Sequence, residues 1–370
     1  MIRTTRKAAL AGLAIVGSAI LLAGCGAAPE DDAPGGSAAP EPADDFLACA
    51  VSDEGSWNDK SFNEAAFAGL QQAESELGVQ IDDAESASAE DFVPNLTAMV
   101  DNGCDITFAI GFNFSLGGTN GVIFDIADEN PDAKFAWLDG WPGGSEDNVK
   151  PIMYATEQSS YLAGYLSAAY STSKVVGTYG GLQIDSVTSF MDGFYQGAKK
   201  YEEESGTPVK VVGWDPATAT GDFVGDFANT EEAKSISNGQ LAAGADVIFP
   251  VAGGLFTATA EAIREGSDPN AVLLGVDKDI AVTQPQLADI TLTSVEKRMT
   301  QAVFDIISET KDDSFTAEPY FGTLENDGTG LSDFGAFADK VPADVVTKLD
   351  ELSQQITDGE IEITLTKNQG

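Results

Sequence analysis

A few short stretches of this chain collect the side chains that could handle a small molecule. Asp53, Asn58 and Asp59 fall together in Ser52-Asp53-Glu54-Gly55-Ser56-Trp57-Asn58-Asp59-Lys60-Ser61-Phe62-Asn63. Carboxylates, amides, aromatics and glycines recur in Gly111-Phe112-Asn113, Asp139-Gly140-Trp141, Ala252-Gly253-Gly254 and Asp277-Lys278-Asp279. Carboxylates and amides read donors and acceptors on a ligand's edge, rings cover its faces, and glycines let backbone approach it. The same set could do a second chemistry, with Asp53 and Asp277 as the paired carboxylates of a nucleoside hydrolase or glycosidase. The chain has no histidine, which excludes Ser-His-Asp and Cys-His catalysis and imidazole-bound zinc. It also has no Gly-x-Ser-x-Gly, no Gly-rich loop ending in Lys-Ser/Thr, no EF-hand loop and no Asp-rich calcium cluster. The chain therefore reads as a binder and not an enzyme, and neither a cofactor nor a metal is expected.

Such loops need elements to hold them. From Phe46 onward, β-rich runs recur at 46–52, 79–82, 104–111, 134–139, 149–155, 175–180, 209–214, 245–252, 271–277 and 290–295. Helical spacings of three and four lie between most of them, as in Phe62, Ala66, Leu70, Ala73 and Leu77, or Tyr161, Leu162, Tyr165, Leu166 and Ala169. This alternation implies βαβ units and parallel sheets, and the number of runs suits two five-stranded doubly wound sheets. The runs 245–251 and 271–277 are nearly all apolar, as central strands buried on both faces must be. Every polar stretch named above follows one of these strands, and open α/β sheets bind ligands beyond the carboxyl ends of their strands.

At 370 residues the chain is long enough for about two domains. Its 60 acidic and 19 basic residues give a net charge of -41. Such a field repels nucleic-acid phosphates and favours a soluble monomer, so no nucleic-acid partner is expected. Arg3, Arg6 and Lys7 followed by an apolar run through residue 24 read as an export signal. The run ends Leu22-Ala23-Gly24-Cys25, which is similar to the bacterial lipobox, and makes Cys25 the expected lipidated first residue of the exported protein. Residues 25–45 read as a flexible acidic tether, holding the rest at the extracytoplasmic face of the cell membrane. Outside the cell, Cys49 and Cys104 face an oxidising environment. Their strands, first and third, are neighbours in a doubly wound order, which favours a disulfide over two buried thiols.

The loop Asp53 to Asn63, the segments Glu157 to Tyr165, Phe190 to Gly197, Gly244 to Phe249 and Gly275 to Asp277, and Thr293 to Arg298 come in unbroken order. Together they resemble the basic membrane protein family, substrate-binding lipoproteins of ABC importers similar to the bacterial purine nucleoside receptor, over about residues 47–310. The resemblance implies a type I periplasmic-binding-protein fold, two α/β lobes joined by three crossovers with ligand in the cleft. Lobe 1 would comprise 46–157 plus about 296–320, and lobe 2 would comprise 158–295 plus about 321–370. It implies a purine clamped between Phe62 and Phe227. Phe223 stays open as the second ring, because Gly221-Asp222-Phe223 nearly duplicates Gly225-Asp226-Phe227. Asp53, Asn58 and Asp59 match polar positions of the first lobe, and Gly253, Asp277 and Lys297 match positions that hold the ribose.

The residue chemistry is consistent with these roles. A phenylalanine sandwich suits a purine, a carboxylate such as Asp277 suits a diol, and Lys297 would offset that carboxylate. The expected function is a membrane-anchored receptor that delivers a purine nucleoside to ABC permease subunits. The alternative is the same fold holding another neutral solute, a sugar or riboflavin, with a nucleoside hydrolase as the reading from the other class.

Overall fold

A computed structural model describes residues 45–140 and 147–367. The expected export signal, Cys25 and the tether up to residue 44 lie outside these described residues.

The first half builds strands β1 (Leu47–Ser52), β2 (Gln80–Ala84), β3 (Ile106–Ile110), β4 (Phe135–Leu138) and β5 (Val149–Tyr154). Helices α1 (Phe62–Leu77), α2 (Phe92–Asp101) and α3 (Val122–Glu129) connect them. Every residue of β3 and β4 is buried, because helices cover both faces of a parallel sheet. The chain then forms α4 (Thr156–Tyr170), β6 (Val175–Gly180), α5 (Asp185–Ser205), β7 (Lys210–Val212) and a small hairpin of β8 (Trp214–Asp215) and β9 (Thr220–Gly221). Next come α6 (Thr230–Ala242), β10 (Val247–Val251), α7 (Phe256–Glu265), β11 (Val272–Asp277), the short α8 (Ile280–Thr283) and β12 (Thr291–Lys297). The C-terminal part adds α9 (Met299–Lys311), β13 (Tyr320–Gly322), β14 (Thr329–Leu331) and α10 (Ala343–Thr357).

These strands make two large sheets, ordered β13-β5-β4-β3-β1-β2 and β14-β12-β11-β10-β6-β7. Each is six-stranded, where the run count suggested five. The extra strand in each comes from the C-terminal crossing: β13 pairs parallel with β5, and β14 pairs antiparallel with β12. The chain passes between the lobes at the ends of β5 and β12 and again between β13 and β14, so three segments form the hinge. In the second lobe, α4 and α5 pack backbone to backbone. Gly164 faces the Phe194 carbonyl, and Gly193 and Gly197 face those of Glu157 and Tyr161, so a methyl group at any of these glycines would overlap the other helix. At the amino ends of the first sheet, Cys49 in β1 is joined by a disulfide to Cys104 before β3, with Cα atoms 5.9 Å apart.

Candidate functional site

The carboxyl ends of the two sheets face each other, and the polar loops meet there. The loop after β1 is held by its own side chains. Asp53 Oδ1 accepts from the Gly55 amide and from Asn63 Nδ2, both at 3.0 Å. Asp59 caps α1: its two carboxylate oxygens accept from the amides of Ser61 (2.8 Å), Asn63 (2.8 Å) and Glu64 (3.1 Å), and from Asn63 Nδ2 (3.2 Å). Burial pushes the Asp53 carboxyl up to about 6, against the lowering effect of the Gly55 and Asn63 bonds. Asn58 is exposed, and its Oδ1 accepts from Lys60 Nζ within the same loop. Trp57 pins the loop outward, stacking on Phe67 at 4.8 Å and donating from Nε1 to Asp83.

Opposite stands Asp277, the last residue of β11, buried and in a left-handed conformation with φ 67°. Its Oδ2 accepts a 2.6 Å bond from Ser61 Oγ, which crosses from the first lobe. Burial pushes this carboxyl up to about 6 as well, while Lys297 and Ser61 favour the ionised form.

Lys297, the last residue of β12, is buried; it offsets Asp277 through its field, as expected, but its hydrogen bonds go elsewhere. Its Nζ donates to both oxygens of Asp139, at 2.8 and 2.9 Å, and not to Asp277. Asp139 follows β4 in the left-handed region, with φ 54°, and this bend brings its carboxylate to the end of β12 in the other sheet. The same ammonium lies 5.2 Å from the centroid of the Phe62 ring, 5.4 Å from that of Phe190 and 5.8 Å from that of Tyr154. One cation is thus enclosed by a ring from each lobe and one from the hinge. Tyr154 Oη is buried without a hydrogen-bond partner among the described residues.

The two candidate second rings are separated by their packing. Phe223 stands edge-to-face on Trp214 at 5.9 Å and packs against the second-lobe core. Phe227 is 42% exposed and lies over Gly181, with Gly253 beside it. Gly253 has φ 53°, and the neighbouring Gly254 abuts the Asp59 carbonyl of the opposite lobe.

Ser61, Phe62, Asp277 and Lys297 are therefore brought together with Asp139, Tyr154 and Phe190. Asp53 and Asp59 stand behind them as supports of the loop, Asn58 is exposed, and Phe227 and Gly253 lie together on the second lobe next to Gly254, which abuts Asp59. Asp139 and Ser61 sat in post-strand loops and carried a positional signal. Tyr154 carried none, being an apolar-pattern residue of a strand, and Phe190 opens one of the segments of the family resemblance without a role being assigned to it there. Two surface cavities, of about 440 and 240 Å³, open elsewhere on the second lobe, beside Tyr195 and Gln240. Among the described residues no group of His, Cys, Asp and Glu could hold a metal ion, and no helix is long and apolar enough to cross a membrane.

A family model described as ABC transporter substrate-binding protein PnrA-like matches residues 46–367. A CD4+ T-cell-stimulating antigen of Listeria innocua is 28% identical over 97% of this chain and 98% of its own length. The ABC transporter nucleoside-binding protein BmpA of Lactococcus lactis is 28% identical over 85% of this chain and 89% of its own. Among solved structures, an ABC transporter solute-binding protein from Aeropyrum pernix aligns with a TM-score of 0.74 at 23% identity, covering 87% of this chain and 94% of that one.

Proposed function

From the premise that the chain belongs to the Bmp family of PnrA-like ABC transporter substrate-binding proteins, we propose that it captures a purine nucleoside between its lobes and presents it to permease subunits. The observation that carries this reading is the division of labour between Lys297 and Asp277. The one ammonium enclosed by the site's rings is already bonded to both oxygens of Asp139, so it offers little to an anion. Asp277 has Ser61 as the sole protein donor to its carboxylate among the described residues, which leaves acceptor capacity for ligand hydroxyls. With the half-buried Phe62, over which Lys297 stands, and the exposed Phe227 as aromatic rings, the set suits an uncharged ligand that has a ring and a polyol, and a nucleoside has both. The name of the Lactococcus lactis relative, a nucleoside-binding protein, supports the same class.

The chain's role is binding and not catalysis. Lipid attachment at Cys25 would keep the receptor at the membrane surface, and the strong negative charge favours a monomer. The decisive experiment is a thermal-shift panel of adenosine, guanosine, inosine, ribose, myo-inositol and riboflavin on the purified protein. A purine nucleoside at 100 times its Kd should stabilise the fold by about 2.7 kcal/mol. Stabilisation by a sugar or by riboflavin, with none from any nucleoside, would replace the nucleoside by that solute.

A further inference from the structure

We propose that Glu64, clasped by Lys278 of the second lobe and Lys60 of its own, is a ligand-independent electrostatic latch on the cleft. The proposal rests on the reading above only in taking the gap between the lobes as the ligand's entrance.

Glu64 lies in the first turn of α1, in the first lobe, and Lys278 follows β11, in the second. Lys278 Nζ is 2.7 Å from Glu64 Oε1, and Lys60 Nζ is 3.4 Å from Oε2, so each carboxylate oxygen has its own ammonium. The side chains of Glu64 and Lys278 are only 28% and 19% exposed, so this pair is screened less by salt water than an open surface pair. Burial by itself would push the Glu64 carboxyl up; the bonds and fields of Lys278 and Lys60 outweigh it and hold the group below its ordinary range.

The charge of the whole molecule gives the latch its importance. At a net charge of -41 the two lobes repel as they approach, and cations able to oppose this are scarce. Most of the other ion pairs lie within one lobe, such as Lys199 with Glu202, Lys234 with Glu261 and Arg264 with Asp289. Lys297 with Asp139 does cross, but inside the proposed ligand site. The Glu64 clasp crosses outside that site, through residues with no assigned part in holding ligand. Opening the cleft must break it whether or not a ligand is bound. The closed form is therefore favoured before any solute arrives, and release of a bound solute is slowed by the same contact.

The test compares wild type, Lys278→Gln and Lys278→Arg. Solution scattering without ligand should give a larger radius of gyration for Lys278→Gln than for wild type at low salt, with Lys278→Arg like wild type. Stopped-flow dissociation of inosine should be about 5-fold faster for Lys278→Gln, and the salt dependence of the wild-type rate should be reduced in that variant. Should Lys278→Gln melt early, Glu64→Gln breaks the same contact from the first lobe and must expand the ligand-free protein likewise. Unchanged scattering in both Gln variants overturns the latch. Failure of inosine to bind at all would count against the nucleoside reading alone, because the scattering comparison needs no ligand.

Discussion

The two faces of the cleft are built on opposite plans. On the first lobe, the polar side chains of the loop after β1 are tied up among themselves: Asp59 accepts three backbone amides and one side-chain amide, Asp53 accepts from Gly55 and Asn63, and Asn58 accepts from Lys60. On the second lobe, Asp277 has a single protein donor among the described residues, supplied by the other lobe, and Phe227 leaves 42% of its surface in solvent. A preformed face thus meets one with polar and aromatic capacity still open. The contrast teaches that similar residue types can have different tasks: carboxylates of the first lobe shape the loop that presents Phe62 and Ser61, and the carboxylate of the second keeps acceptor capacity, which the proposed function assigns to the solute. Substitutions should separate accordingly, into losses of stability on one side and losses of affinity on the other.

The sharpest case is Asp277→Asn. Asn tolerates the left-handed conformation that Asp277 adopts, so the backbone is not strained by the change. The variant keeps one acceptor oxygen but loses the charge that strengthens bonds to ligand hydroxyls. Nucleoside affinity is expected to fall by about 2–3 kcal/mol, with the ligand-free melting temperature held or raised because a buried ionisable group has gone. Calorimetric titration and scanning calorimetry on the same preparation read both. A large drop in melting temperature with little change in affinity would reverse the roles of the two faces.

Asp59→Ala is the counterpart on the first lobe. It leaves the amides of Ser61, Asn63 and Glu64 at the start of α1 without their acceptor. The expected cost is about 2 kcal/mol of stability, at the upper end for a helix cap. Affinity should fall less, through loosening of Ser61 and Phe62. A variant that melts like wild type and binds far more weakly would move Asp59 into the group of ligand contacts.

Much of this architecture was legible before any coordinates, and the exceptions have physical reasons. The buried runs at Val247–Val251 and Val272–Asp277 announced themselves, because a parallel strand covered on both faces must be nearly all apolar. The strands β13 and β14 did not, since three residues are too few to show a period and their pairing is decided by strands far away in sequence. Asp139 stood in view after its strand, yet its bond to Lys297 joins residues 158 apart, and nothing in local spacing encodes it. Phe223 and Phe227 sit in near-identical tripeptides. The presence of Trp214 beside one ring and of Gly181 and Gly253 beneath the other separates them, and that is a tertiary fact.

Acidity sharpens the comparison without any mutation. The carboxyls of Asp53 and Asp277 are both raised to about 6 by burial. A folded-state value above the unfolded one means each contributes stability that is complete below about pH 4 and lost as the pH rises through about 6. The ligand-free protein should therefore melt higher at pH 5 than at pH 7. If ligand hydroxyls bind the ionised Asp277 as proposed, nucleoside affinity should instead drop about tenfold as the pH falls from 7 to 5. Stability and affinity would move in opposite directions, as a pH series of melting curves and titrations would reveal. In Asp277→Asn the pH dependence of affinity should flatten while the Asp53 share of the stability trend persists. If affinity were independent of pH in wild type, Asp277 would not be the group that receives the ligand.

The smallest expected effect belongs to Asn58→Ala, and it probes the first lobe where the two plans are hardest to tell apart. Asn58 is exposed, its backbone amide is held by Ser56 Oγ, and its side-chain oxygen is occupied by the Lys60 ammonium. Among the described residues no other group depends on it: Asp59 supplies the helix cap, and Trp57 anchors the loop through Asp83, Glu85 and Phe67. Exposed substitutions of this kind change stability by less than about 0.5 kcal/mol, and a side chain already turned to a neighbour has little to offer a solute. Both the melting temperature and the nucleoside affinity of Asn58→Ala are therefore expected to match wild type, with calorimetric titration as the more sensitive check. A tenfold loss of affinity with unchanged melting would mean that Asn58 leaves Lys60 on binding and reads the edge of the base. The first lobe would then hold a rearranging ligand contact of its own, and its description as a preformed support would have to be given up.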